Sequence, residues 1–360
     1  MAHKDALFIR SYLAQYFERT GMTSGNLQST QKSADTPLDR LQAIMKEDLK
    51  STNDLIIEQL QSEVSIIPKI GHYIIAAGGK RIRPLLTLAS AKMFDADMTK
   101  AHFLAAAVEF IHTATLLHDD VVDESEQRRG QKTSNLVFGN QASVLVGDFL
   151  FARSFELMVK TDRLEALKML SRASAIITEG EVKQLTTSRK INTTLQDYFE
   201  VINGKTAALF AAACSVGAII ADQGTTTKDA LYSYGQNLGM AFQIADDVLD
   251  YSANEQKLGK SVGDDFREGK MTLPIILAVQ AADKKERLFW ANVIEKPEDI
   301  KPEDFPHAQN LMVQHGIYDQ ALKIAQEHAD RAFESIKDIP TSPIKVVLEE
   351  ILDYCVKRLN

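Results

Sequence analysis

Two short runs of aspartate are the residues of this chain best suited to chemistry. The first is Asp119, Asp120 and Asp123, at the end of the apolar run from Phe103 to Leu117. Side chains four apart lie one above the other on a helix, so Asp119 and Asp123 project from the same face. Like charges at that spacing repel by roughly a few tenths of a kcal/mol in an isolated helix, a penalty that a cation would remove. A solvated acidic helix end would give the same triplet. The second run, Gln243, Asp246, Asp247 and Asp250, falls at i, i+3, i+4 and i+7, a polar stripe where an amphipathic core helix should be apolar. Its neighbours Met240, Ala241, Phe242, Ile244, Ala245, Val248 and Leu249 are hydrophobic, so this helix should be mostly buried. Buried carboxylates need cations or hydrogen bonds. Repetition of Asp-Asp-x-x-Asp on two such helices outweighs the solvated alternative.

Carboxylate oxygens without His or Cys partners suit a hard cation, and Mg²⁺ typically combines a few carboxylates with waters and substrate phosphates. The ligand implied is therefore phosphorylated. Cations that could meet it occur at Gly78-Gly79-Lys80-Arg81-Ile82-Arg83-Pro84, at Arg128-Arg129-Gly130 and at Gly204-Lys205-Thr206, with Lys260 and Lys270 following the second acidic run. Arg suits bidentate phosphate contact, Lys a point-charge contact, and a glycine pair lets backbone approach a bulky anion. Each basic group alone reads equally as solvated surface; their order around the two acidic runs gives them weight.

The elements that must position these residues are helices. From Leu38 to Asn360 the pattern is long runs of Ala, Leu, Ile, Glu and Lys with almost no alternation that would signal a strand, and no significant sheet is expected. Breaks are expected at Gly78-Gly79, Gly130, Gly139, Thr186 to Thr194, Gly224, Ser252 to Gly263 and Lys296 to Pro306. They divide the body into about ten helices. No composition shift or fixed-period repeat divides residues 38–360, so one helical domain is expected there. Residues 1–37 read as a short N-terminal helix followed by a polar linker.

Composition narrows the function further. With 49 acidic against 41 basic residues the formal net charge is −8, which argues against broad neutralisation of nucleic-acid phosphates. The cysteines, Cys214 and Cys355, have no paired spacing, so neither a disulfide framework nor a cysteine metal site is expected. A reducing, cytoplasmic location fits. The first twenty residues lack the apolar core of a signal peptide, and Asp5 and Glu18 suit a transit peptide poorly. The longest apolar run, Ala207 to Ala221, is shorter than the roughly 20 residues of a spanning helix and is expected to be a buried core helix.

Taken in order, GGKRIRP, EFIHTATLLHDDVVDESEQRRG, GKTAALF, GMAFQIADDVLDY and GKSVGDDFREGKMTLP closely resemble the trans-isoprenyl diphosphate synthases, in particular the long-chain polyprenyl diphosphate synthases. The resemblance covers about residues 38–360 and implies an all-α bundle around a central cavity. It implies that the two aspartate clusters face each other and hold three Mg²⁺ ions on an allylic diphosphate. Asp119, Asp123 and Asp246 would be direct ligands, with Asp120, Asp247 and Asp250 as additional or water-mediated ones and Gln243 in support. By the same resemblance Arg128, Lys205, Thr206 and Lys260 contact the allylic diphosphate, while Lys80, Arg83, His112 and Arg129 bind isopentenyl diphosphate. Without the family His112 would read as an ordinary core histidine, although it lies seven residues before Asp119 and so faces the same way.

The implied reaction is ionisation of the allylic C–O bond, attack by the double bond of isopentenyl diphosphate and loss of a proton. The released diphosphate would be the proton acceptor. The growing chain would run beside the helix of Asp119, past Ala114 and Thr115; the absence of an aromatic there suggests a product longer than farnesyl. Phe151, Phe155 and Met158 are candidate floor residues, though core packing explains each as well. The family further implies a homodimer supplying a ubiquinone or menaquinone side chain from a farnesyl or geranylgeranyl starter. A geranylgeranyl synthase is the nearest alternative. A terpene cyclase has no need of a second diphosphate site, and a non-catalytic synthase subunit should have lost ligands from one cluster.

Overall fold

The computed structural model describes residues 36–76, 78–128, 130–252 and 262–357. The expected N-terminal helix and linker, Arg129 and Lys260 lie outside those residues. Helices α1 (Pro37–Ile44), α2 (Lys46–Gln59), α3 (Ile66–Ala76), α4 (Ile82–Lys92) and α5 (Met98–Val122) come first. A two-residue hairpin, β1 (Gln127–Arg128) and β2 (Gln131–Lys132), then leads into α6 (Ser134–Phe138), α7 (Asn140–Val159) and α8 (Leu164–Thr187). Next are α9 (Leu195–Ile202), a π-helical turn (Asn203–Ala207), α10 (Ala208–Ile220) and α11 (Thr225–Ser252). The chain closes with α12 (Asp264–Glu268), α13 (Leu273–Ala281), α14 (Lys284–Glu295), α15 (Asp304–Gln314), α16 (Ile317–Ser335) and α17 (Pro343–Lys357).

The architecture is all-α, as expected, and the only departure among the described residues is the hairpin at Arg128. Helix α10 is the axis: every residue from Ala208 to Ile220 is buried. Around it pack α4, α5, α8 and α11. The apolar stretch Leu195–Ile220 has the length and, over its most apolar 18 residues, the mean hydropathy (1.3) of a membrane span, but 89% of those 18 residues are buried inside the bundle, so their hydrophobicity is used on core contacts.

The helices are more numerous than the glycine and proline punctuation implies. Several end on an aspartate held in the left-handed region, Asp95 after α4 (φ 53°), Asp162 after α7 (φ 53°) and Asp222 after α10 (φ 53°). Asp tolerates this conformation because its short side chain can bond locally, so a helix can stop without glycine. Others start on polar caps: Asp97 accepts from the Thr99 N–H at 3.0 Å, and Asp283 and Glu286 form a reciprocal capping box.

Candidate active site

The long helices α5 and α11 bring their acidic ends to one cavity of about 840 Å³. On α5 the lining positions are Glu109, His112, Thr115, Leu116 and Asp119, followed by Asp123 at the C-cap, a stripe of helical period. Asp246 and Gln243 line it from α11. Asp119 and Asp123 stand in the last turn of α5, where the helix dipole disfavours negative charge. Burial pushes the Asp119 carboxyl up to about 7; Glu181 and Asp123 raise it further while Lys205 and Arg128 oppose them.

The other three aspartates of the clusters do not line the cavity. Asp120 is buried, and its Oδ1 accepts from Arg128 Nε at 2.9 Å and Nη2 at 2.7 Å, which fixes the guanidinium at the cavity wall. Asp247 is buried as well; Oδ2 accepts from the Tyr198 hydroxyl at 2.7 Å and Oδ1 from Gln243 Nε2 at 2.8 Å. Gln243 Oε1 in turn accepts from Thr206 Oγ1 at 2.7 Å, so Asp247, Gln243 and Thr206 form one chain ending in the cavity. Burial raises Asp247 to about 7 against the pull of those hydrogen bonds. Asp250 accepts from the Asp265 backbone N–H at 3.0 Å and is raised to about 6, first by burial. Its carboxylate pins the first turn of α12.

Basic residues face the acidic ones. Lys205 reaches the cavity because the π turn carries it across α8: Gly204 packs on Gly180 so closely that a Cβ on either would come within 2.7 Å of the other's Cα. Single π turns recur at functional sites for this reason, since they re-aim side chains within a helix. Lys205 Nζ donates to Gln184 Oε1 at 3.2 Å and lies 3.6 Å from Glu181. Lys80, Arg83 and His112 line the same cavity, with Arg83 Nη1 3.1 Å from His112 Nε2 and the guanidinium 4.7 Å from the Phe210 ring centroid. The His112 ring therefore belongs to the polar wall of the cavity.

Several site residues escaped the reading of the sequence, and two cations named there, Arg81 and Lys270, take partners it did not give. Arg81, left-handed at φ 50°, forms a buried ion pair with Glu109 that holds the glycine-rich loop against α5. From the C-terminal helix, Ile351, Tyr354 and Cys355 close the same wall, with Lys80 Nζ 5.9 Å from the Tyr354 ring centroid. Asp264, Asp265 and Glu268 add carboxylates beside the second cluster, and Lys270 lies among them. Burial alone would lower the Lys270 pKa, but Asp265, Asp123 and Glu268 outweigh it and raise it. No local spacing announces these partners. Of the chain-length candidates, Thr115 lines the cavity, whereas Ala114 and Met158 are buried in the core, and Phe151 and Phe155, edge-on to each other at 5.3 Å, pack against that core.

A profile of the polyprenyl synthetase family matches residues 64–312. The chain is 41% identical to the octaprenyl diphosphate synthase of Haemophilus influenzae over 321 residues, 89% of this chain and 97% of that one. Its fold superposes on the crystal structure of a decaprenyl diphosphate synthase from Rhodobacter capsulatus with a TM-score of 0.86 at 48% identity, covering 90% of this chain and all of the other. A polyprenyl synthase from Caulobacter crescentus CB15, complexed with calcium and isoprenyl diphosphate, gives a TM-score of 0.87 at 47% identity over 91% of this chain. A cavity walled by two acidic helices and two basic groups, on a fold and sequence shared with these enzymes, means that the chain belongs to the polyprenyl synthetase family and is a trans-prenyltransferase.

Proposed function

We propose that the chain is a magnesium-dependent long-chain polyprenyl diphosphate synthase, condensing isopentenyl diphosphate repeatedly onto an allylic diphosphate. The observation that carries this reading is that one cavity is lined by Asp119, Asp123 and Asp246 together with two groups of cations, Arg128 with Lys205 and Lys80 with Arg83. One cluster of cations serves one diphosphate; two serve a second substrate. Mg²⁺ keeps several waters and takes substrate phosphate oxygens as ligands, and the all-oxygen donor set of Asp119, Asp123 and Asp246 fits it. Asp119, Asp123 and Asp246 would hold the ions, and the bound metal would supply Lewis-acid stabilisation of charge on the departing diphosphate.

The remaining work belongs to the chain's own side chains. Lys205, Thr206 and Arg128, fixed by Gln184, Gln243 and Asp120 respectively, would hold the allylic diphosphate without reorganising during reaction. Lys80, Arg83 and His112 would orient isopentenyl diphosphate so that its double bond faces the ionising carbon. Phe210, Leu238 and Phe242 line the cavity between the charged walls and would exclude water from the allylic cation. The reading extends to a homodimer, supported by the family and by Leu145, Val159 and Leu164 exposed on adjacent α7 and α8, and to a quinone side chain as destination.

Incorporation of labelled isopentenyl diphosphate into a farnesyl or geranylgeranyl starter, with Mg²⁺ and in excess chelator, tests the proposal. Products of eight or more isoprene units in Mg²⁺ only are expected, in line with the relatives. Short or cyclic products, or turnover in chelator, would overturn it. Lys205→Ala should mainly raise KM for the allylic substrate and Lys80→Ala that for isopentenyl diphosphate, each by roughly one to two decades.

A further inference from the structure

Lys270 joins the end of α5 to α12 while belonging to neither cluster. Its Nζ lies 3.0 Å from Asp123 Oδ2, at the end of α5, and 2.5 Å from Glu268 Oε2, on α12. Both side chains of the Lys270–Asp123 pair are about four-fifths buried, with relative exposures of 20% and 18%. The backbone that presents Lys270 is fixed from two sides. Its own N–H donates to the Asp265 carbonyl at 2.9 Å, and the Asp265 N–H donates to Asp250 on α11. From the α8–α9 connection, the Arg189 N–H donates to the Gly269 carbonyl at 2.9 Å and its guanidinium to the Arg267 carbonyl at 2.9 Å. Gly269 is at φ +71°, and a Cβ there would meet Arg189 Cγ at 2.6 Å, so this contact tolerates only glycine. What remains free is the lysine side chain itself, a flexible stem carrying a compact charge.

Asp123 is also one of the three cavity carboxylates assigned to the metal above. An ammonium at 3.0 Å already satisfies part of its charge, and a cation that takes Asp123 must compete with it. The displaced ammonium would then stand in a pocket rich in Asp264, Asp265 and Glu268, in the same cavity that receives the diphosphate. We propose that Lys270 is an internal counter-ion of the metal site, neutralising Asp123 in the metal-free enzyme and exchanged for Mg²⁺ when a diphosphate arrives to take up its charge. The proposal rests on the magnesium reading of the preceding subsection. Its consequence is a coupling: Mg²⁺ alone binds weakly, Mg²⁺ and diphosphate strengthen one another, and by linkage the effect is reciprocal.

Calorimetric titration of the full chain with Mg²⁺ alone, inorganic pyrophosphate alone, and Mg²⁺ in the presence of pyrophosphate tests this, with magnesium pyrophosphate formation in solution accounted for. Lys270→Met keeps the stem and removes the charge; Lys270→Arg keeps the charge. The Met variant is expected to bind Mg²⁺ alone roughly tenfold tighter and to show a correspondingly smaller coupling with pyrophosphate, while the Arg variant stays near wild type. A merely structural link between α5 and the α12 turn would lower the melting temperature and leave Mg²⁺ affinity alone. A merely phosphate-binding lysine would weaken pyrophosphate and again leave Mg²⁺ alone unchanged. Either result overturns the proposal. If the Met variant does not fold, Lys270→Gln takes its place under the same criterion. Wild type alone also tests it: equal Mg²⁺ affinity with and without pyrophosphate refutes the exchange, whereas no Mg²⁺ binding in either condition refutes the magnesium reading itself.

Discussion

Adjacent aspartates within each cluster face different ways, because a helix turns by about 100° per residue and cannot present neighbours to one cavity. Asp119 and Asp246 therefore meet the cavity, while Asp120 and Asp247 turn into protein and orient Arg128 and Gln243. The polar stripe made the clusters legible in the sequence, but the distant partners of these aspartates were not: Tyr198 is 49 residues from Asp247, and Lys270 is 147 from Asp123. This division predicts two phenotypes. Asp119→Asn should reduce kcat by orders of magnitude, whereas Asp120→Asn, which keeps an acceptor for Arg128 but loses its charge, should raise KM for the allylic substrate about tenfold. Steady-state kinetics on both variants separates them, and equal losses of kcat would refute the division. The raised Asp119 adds a pH effect. Its folded value of about 7 exceeds the ordinary 3.8, so the folded metal-free protein binds that proton more tightly than the unfolded chain. This contribution to stability is present at low pH and declines as pH rises from about 4 to about 7, by on the order of a few kcal/mol. In chelator, Asp119→Asn should thus melt above wild type at pH 8 and close to it at pH 4.5. The same ordering at both pH values would mean that Asp119 is not held up by burial.

At the scale of elements, the site depends on how closely helices approach and where they stop. The Gly180–Gly204 contact lets the π turn press on α8, and Gly204→Ala would place a methyl 2.6 Å from Gly180 Cα and 2.9 Å from the Ile176 carbonyl. We expect a loss of about 1 to 3 kcal/mol in stability and, because Lys205 and Thr206 follow directly, a raised KM for the allylic substrate. A thermally normal Gly204→Ala enzyme with unaltered KM would show that the turn does not set these side chains. Neither the π turn nor the close approach could be read from GKTAALF, since glycine there equally suits an ordinary helix contact. The missed helix ends have a different cause: the expected breaks were located mainly by Gly and Pro, whereas Asp95 and Asp162 stop helices in the left-handed conformation. At exposed Asp95, a β-branched residue should be much less tolerant of φ 53° than glycine. Asp95→Gly should melt within about a degree of wild type, while Asp95→Val should lose about 1 to 2 kcal/mol. Equal melting temperatures for the two would remove the backbone explanation.

At the scale of the whole molecule the cavity is a junction of distant segments, from Leu38 on α1 to Cys355 on α17. The helical class and the acidic and basic walls were legible because each rests on a local pattern; the closing of one wall by the C-terminal helix was not, because it depends on how the bundle's ends meet. The product poses the hardest spatial demand, since a long prenyl tail must pass beyond the charged walls along α5. Thr115 and Leu116 line the cavity on the stripe of Asp119, and Ala114, one residue away around the helix, is 1% exposed in the core. Extensive packing between α5 and α7 brings the Phe151–Phe155 pair close to that core. A tail that continues past Thr115 must run between these helices, so Ala114 meets it only where they part. Thr115→Phe, which projects a ring into the cavity, should shift products towards farnesyl or geranylgeranyl length with little change in melting temperature. Ala114→Phe should shorten them too, but with overpacking that costs about 1 to 3 kcal/mol. The metal and diphosphate contacts are untouched in both, so the first condensation should keep its rate while later ones stop. Chromatography of dephosphorylated products and thermal unfolding on the same samples decide between the paths. Shortened products from Thr115→Phe alone would confine the tail to the cavity side of α5, and unchanged products from a folded Ala114→Phe enzyme would take Ala114 off the route.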